Sequence, residues 1–201
     1  MLLSETIELI SRIDRIIIHL DSNYGEGIKQ EVFPPDRQKI IYEIKGVKSF
    51  PEYKDQIINM AVCVWSLKDY IKEILKYTGK NPEDIETLVN NNINLQLCAD
   101  IANLAKHAVL KKSRSGLFPK LNQPNITIKF NRSDPSIEKI TFTDIEMIID
   151  IKKLKYINYS LPIIDSENNY IRNAEDVLKD AFCSFESFLS TNNMIKQKNI
   201  E

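Results

Sequence analysis

Between Ile93 and Lys112 the chain is apolar on two sides of one helical wheel, and this stretch restricts the fold more than any other. At about 100° per residue, Leu97, Cys98, Ile101, Leu104, Ala105, Ala108 and Val109 share a broad apolar face. Ala99, Ala102 and Leu110 make a second, smaller one, interrupted by Lys106. A helix apolar on two sides is packed on two sides, and its alanines let neighbouring axes come close. Between the faces runs a polar line of Gln96, Asp100, Asn103, His107 and Lys111, which such packing places in a groove. The helix is predicted to continue to Lys112.

Around this stretch the pattern is helical before it and β-like after it. Ile7, Ile10, Ile13, Ile17 and Leu20 recur at helical spacing behind Ser4, predicting a helix to about Asp21. Ser-Asn-Tyr-Gly-Glu-Gly then breaks the chain, and the segment to Pro35 reads as loop. Pro34-Pro35-Asp36 is read as the start of a short helix carrying Ile40, Ile41 and Ile44 and ending at Gly46. Pro51 opens the longest helix, 52–78, with Ile57, Ala61, Val64, Leu67, Ile71 and Ile74 as its seam and Trp65 in the core. Lys54-Asp55 and Lys68-Asp69 are assigned to its solvated face. Gly79 suits the position just past its end. Asn81-Pro82-Glu83-Asp84 reads as the cap and acidic first turn of a short helix ending near Asn90.

Beyond Lys112 the period changes. Residues 117–125 read as loop, and Ile126–Phe130 alternates as a strand. A turn at 131–136 leads to a bent strand over 139–151 and a third strand from Tyr156 to Ile164, which Pro162 puts at an edge. A turn at 165–169 and a short Tyr170-Ile171 strand precede a helix capped by Asn173, with Ala174, Val177, Leu178, Ala181, Phe182, Phe185 and Leu189 inward. The expected architecture is α+β and predominantly α. A helical bundle (1–112), a small antiparallel β-sheet segment (113–171) and a helix packing back (172–189) form one domain, followed by a frayed tail, 190–201.

Composition removes several function classes. With 27 basic and 28 acidic residues, any attraction to nucleic acid has to be local. No apolar run approaches the ~18 residues of a membrane span, and the amino terminus lacks the basic and apolar regions of a signal peptide. Cys63, Cys98 and Cys183 are far apart, lack zinc-type spacing and are read as buried thiols of a cytoplasmic protein. No cofactor or metal is expected. Glycine-rich phosphate loops, nucleophile elbows and HExxH motifs do not occur.

The polar line carries what chemistry there is. His107 offers an imidazole for general acid–base work or for holding a phosphate, Lys106 can neutralise a phosphorane-like charge, and Asn103 and Asp100 stand where they can orient the imidazole. The same residues also fit a solvated or structural polar face. Lys106, His107, Lys111, Lys112 and Arg114 form the densest basic cluster, suited to phosphate or RNA contact, or simply to the negative end of a helix dipole. No base-stacking aromatic is interleaved with it. Arg12 and His19 make a formal R-x6-H pair, read as accidental.

The run Asp100-Ile-Ala-Asn103-Leu-Ala-Lys106-His107, together with the tryptophan-bearing helix before it, resembles small helical proteins with a D-x-x-N-x-x-K-H motif. These in turn are similar to the HEPN superfamily. The resemblance covers residues 52–112, with His107 at the HEPN histidine and Asn103 at a polar position between the two catalytic residues. The HEPN arginine has no counterpart, since Asp100, Ile101 and Ala102 occupy its place. What the resemblance implies is a protein of a prokaryotic or mobile-element defence or stress locus, binding RNA, a protein partner or a second copy, without catalysis. The alternative it implies is a metal-independent ribonuclease with His107 as acid–base and Lys106 as charge stabiliser. A pure protein-interaction module is a further alternative.

Overall fold

A computed structural model of the chain describes residues 2–21, 27–33, 39–45, 47–107, 109–128, 137–142, 146–151 and 157–194. Residues 22–26 and 34–35 of the loop expected to run to Pro35, the proline-led helix start at 34–36, Gly46, Ala108, the turn at 131–136 and tail residues 195–201 lie outside them. In chain order the elements are α1 (Leu2–Asp21), β1 (Gly27–Phe33), β2 (Lys39–Lys45), α2 (Phe50–Tyr77), α3 (Glu83–Asn90), α4 (Ile93–Lys106), β3 (Lys120–Leu121), β4 (Asn125–Ile128), β5 (Ile137–Phe142), β6 (Glu146–Ile151), β7 (Ile157–Ser160), β8 (Pro162–Ile164), β9 (Tyr170–Asn173) and α5 (Ala174–Thr191). The fold is α+β and predominantly helical. Two compact units share the chain: Met1–Ile18, Lys54–Pro124 and Ser160–Glu201 form the first, His19–Tyr53 and Asn125–Tyr159 the second.

The first unit is built on α2. Its seam of Ile57, Ala61, Val64, Leu67, Ile71 and Ile74 is buried throughout, and Trp65 is nearly so. Gly79 ends the helix region with a positive φ of 70°, the conformation that favours glycine there. Packing against α4 is close enough for the Cys98 thiol to donate to the Ala61 carbonyl at 3.6 Å. On its other sides α4 meets α3 and α5. Leu97, Cys98, Ala99, Ile101 and Ala102 are all buried, so the middle of α4 is packed on both apolar faces as its pattern required. The inward face of α5 is the expected set of seven residues, from Ala174 to Leu189. Lys68 departs from expectation. It is buried and bonded to Glu86 at 2.9 Å, not part of a solvated face.

A three-stranded antiparallel sheet, β3-β8-β9, completes this unit. Pro162 therefore lies in its central strand, not at an edge. It is tolerated because it is the first residue of β8, where its carbonyl still accepts from Asn122 N at 2.9 Å and no N–H is needed. The turn before β9 is closed by Asp165, whose Oδ1 accepts the N–H groups of Glu167 and Asn169, each at 2.8 Å.

The second unit contains the largest sheet, in the order β2-β1-β6-β5, and corrects three expectations. Residues 27–33, expected as part of a loop running to Pro35, form β1, paired on one side with β2 and on the other with β6. Residues 39–45 form a strand, antiparallel to β1 with Ile28 opposite Ile44 and Val32 opposite Ile40. Ile40, Tyr42 and Ile44 alternate as well as Ile40, Ile41 and Ile44 fit a helix, and pairing with β1 decides between the two periods. The single bent strand expected over 139–151 is a hairpin of two, with Phe142 opposite Met147. At the start of α2, Ser49 and Glu52 form a reciprocal capping box: the Ser49 N–H donates to Glu52 Oε2 at 2.8 Å and the Glu52 N–H to Ser49 Oγ at 3.3 Å. The Tyr53 and Tyr159 rings stack with centroids 4.8 Å apart.

Candidate functional site

The polar line on α4 is divided among three tasks. Gln96 donates from Nε2 to the Val89 and Asn90 carbonyls, closing the end of α3. Asp100 has no accessible surface. Its Oδ1 accepts from Arg114 N at 2.7 Å, and its Oδ2 accepts from Ser113 Oγ at 2.6 Å, Ser115 Oγ at 2.7 Å and Ser115 N at 3.1 Å. Asn103 is half-buried, and His107 is exposed.

These bonds explain why the helix stops short of Lys112. Thirteen residues separate Asp100 from Ser113, about 20 Å of continuous helix at ~1.5 Å per residue. A buried carboxylate needs donors within hydrogen-bond reach, so the chain must turn back. It does so at His107, whose N–H still donates to the Asn103 carbonyl at 3.0 Å while its backbone is already extended, φ −133° and ψ 135°. His107 thus caps the end of α4 through its backbone N–H, and the four hydrogen bonds to Asp100 all come from residues 113–115.

The returning loop is cross-linked within itself. Ser113 Oγ also accepts the Phe118 N–H, and Ser115 Oγ the Leu117 N–H, each at 3.2 Å. Gly116 and Phe118 both have positive φ, 75° and 47°. Arg114 reaches the other way: it donates to Glu86 Oε2 at 3.2 Å and stacks 5.1 Å from the Trp65 ring centroid. Lys68 approaches the same ring at 5.0 Å. Glu86 therefore sits between Lys68, Lys72 and Arg114. Partial burial pushes its carboxyl up, but the hydrogen bond and charge of Lys68, then those of Arg114, outweigh burial and hold it at about 2.

Of the expected cationic residues, Arg114 is thus engaged inside the unit, while Lys106, His107, Lys111 and Lys112 are exposed on the segment between α4 and the loop. The structure adds Phe118. In sequence it stands six positions past Lys112; the Ser113 bond folds its backbone back beside that lysine's neighbour. Only the two serines three and five positions before it hinted at such a turn.

The thiols divide. Cys63 and Cys98 are buried, and burial pushes the Cys98 thiol up. Cys183 is exposed, contrary to expectation, because it lies on the outer side of α5. It borders an open depression with Leu88, Asn92, Ser184, Ser187 and Phe188, which holds none of the residues of the polar line. Among the described residues no group of three or more His, Cys, Asp or Glu side chains could hold a metal ion, and no helix is long and apolar enough to cross a membrane. Neither a family model, nor a curated protein, nor a solved structure matches the chain.

Proposed function

We propose that the chain is a HEPN-like helical protein that binds RNA through residues 106–112 and does not cleave it. The observation that carries this reading is the joint exposure of Lys106, His107, Lys111 and Lys112 on one short segment, anchored by the buried Asp100 through residues 113–115. Cations next to residues that are bonded into the fold contact phosphates at a smaller entropic cost than cations on a loose tail. With the chain's net charge near neutral, −1, the attraction is confined to this segment.

The non-catalytic part rests on Asp100. An acid–base histidine works best when a carboxylate holds its ring, and both Asp100 oxygens are committed to the loop. The α4 motif of Asp100, Asn103, Lys106 and His107 is the basis for the HEPN-like assignment and for a role in a defence or stress locus of a prokaryote or mobile element.

The test is the affinity of labelled single-stranded RNA across a salt series. Binding should weaken with salt, and replacing Lys111 and Lys112 by glutamine should lower the log–log slope by about 1.4, two phosphates at ~0.7 each. No binding at low salt contradicts the reading and leaves the protein-interaction module in its place.

A further inference from the structure

We propose that Phe118 is a base-stacking residue of this segment and gives it a preference for unpaired RNA, an inference that rests on the RNA-binding reading above. The residue is 43% exposed and has a φ of +47°, a region that side-chain-bearing residues rarely enter. The proline that follows it disfavours that region further. Such a conformation persists only where its surroundings over-determine it, and here they do. The Phe118 N–H is held by Ser113 Oγ, Ser113 is held by Asp100, and Pro119 on its other side is buried.

Burial does not account for this arrangement, because the constrained backbone leaves a large aromatic side chain partly in water. Its backbone is bonded to the residue that directly follows Lys111 and Lys112, and the exposed Lys120 lies two positions beyond it. An aromatic face next to lysines is the combination that holds single strands: the cations track phosphates while the ring takes an unstacked base. A duplex offers the cations the same phosphates but keeps its bases stacked on one another.

The experiment uses the full chain with labelled oligouridine, oligoadenosine and an RNA duplex of equal length. Phe118→Ala should weaken both single strands about tenfold, leave duplex binding unchanged and leave the salt slope unaltered. Phe118→Trp should retain single-strand affinity and lose emission when oligouridine is added, against the nearly buried Trp65 as background. Three results would overturn the inference: unchanged single-strand affinity in Phe118→Ala, equal losses on single strand and duplex, or emission of Phe118→Trp indifferent to oligouridine. Any of these with Lys111 and Lys112 still required for binding leaves the RNA reading intact. Failure of the unaltered chain to bind any of the three RNAs overturns both.

Discussion

A carboxylate with no accessible surface must find its donors inside the protein, and Asp100 takes two hydroxyls and two backbone N–H groups from Ser113, Arg114 and Ser115. Replacing it by alanine strands those donors. The expected loss in urea denaturation is about 3 kcal/mol, the cost of leaving buried groups that had bonded a charge. His107, two polar positions further along the same nominal line but exposed, should tolerate alanine within about 0.5 kcal/mol. Equal losses at the two positions would contradict the division of the line into a buried anchor and a displayed cation. That division was only half visible in the sequence. The spacing of Gln96, Asp100, Asn103 and His107 is helical whether or not the helix continues, and nothing local says that Asp100 recruits a loop thirteen residues on. Phe118 was missed for the same reason.

At the scale of elements, the helices were legible because each carries its own period. The inward faces of α2 and α5 follow directly from it, and Phe185, with no accessible surface, should cost about 4 kcal/mol on truncation to alanine. A loss below about 1 kcal/mol would mean that α5 does not close the core. The strands were less legible: 39–45 fits two periods, and only pairing with β1 chooses between them. Between elements, Glu86 joins α2, α3 and the loop through Lys68, Lys72 and Arg114. Its carboxyl lies at about 2 when folded and ordinarily at 4.5. A depressed folded value contributes stability that is fully present above the ordinary value and is lost as pH falls toward the folded one. The melting temperature should therefore decline between pH 4.5 and about 2, and Glu86→Gln should flatten that decline. An acid limb unchanged in the variant would show that the carboxylate is not the group responsible.

At the scale of the molecule, the two units interleave along the chain. A linear reading that divides helical from β-rich sequence at Lys112 assigns the fold class, yet places residues 27–45 on the wrong side, because a sheet is assembled from segments more than a hundred residues apart, as β1 and β6 are. The basic segment 106–112, by contrast, belongs to one unit with its anchor Asp100, its loop and Glu86. The most direct measurement of what it does is to incubate the purified chain with single-stranded RNA and follow both retention and length of the RNA. Parallel samples would contain His107→Ala and the Lys111→Gln, Lys112→Gln double variant. RNA that is retained intact, by the unaltered chain and by His107→Ala but much less by the double variant, is the predicted result. RNA that is shortened by the unaltered chain and left whole by His107→Ala would contradict it.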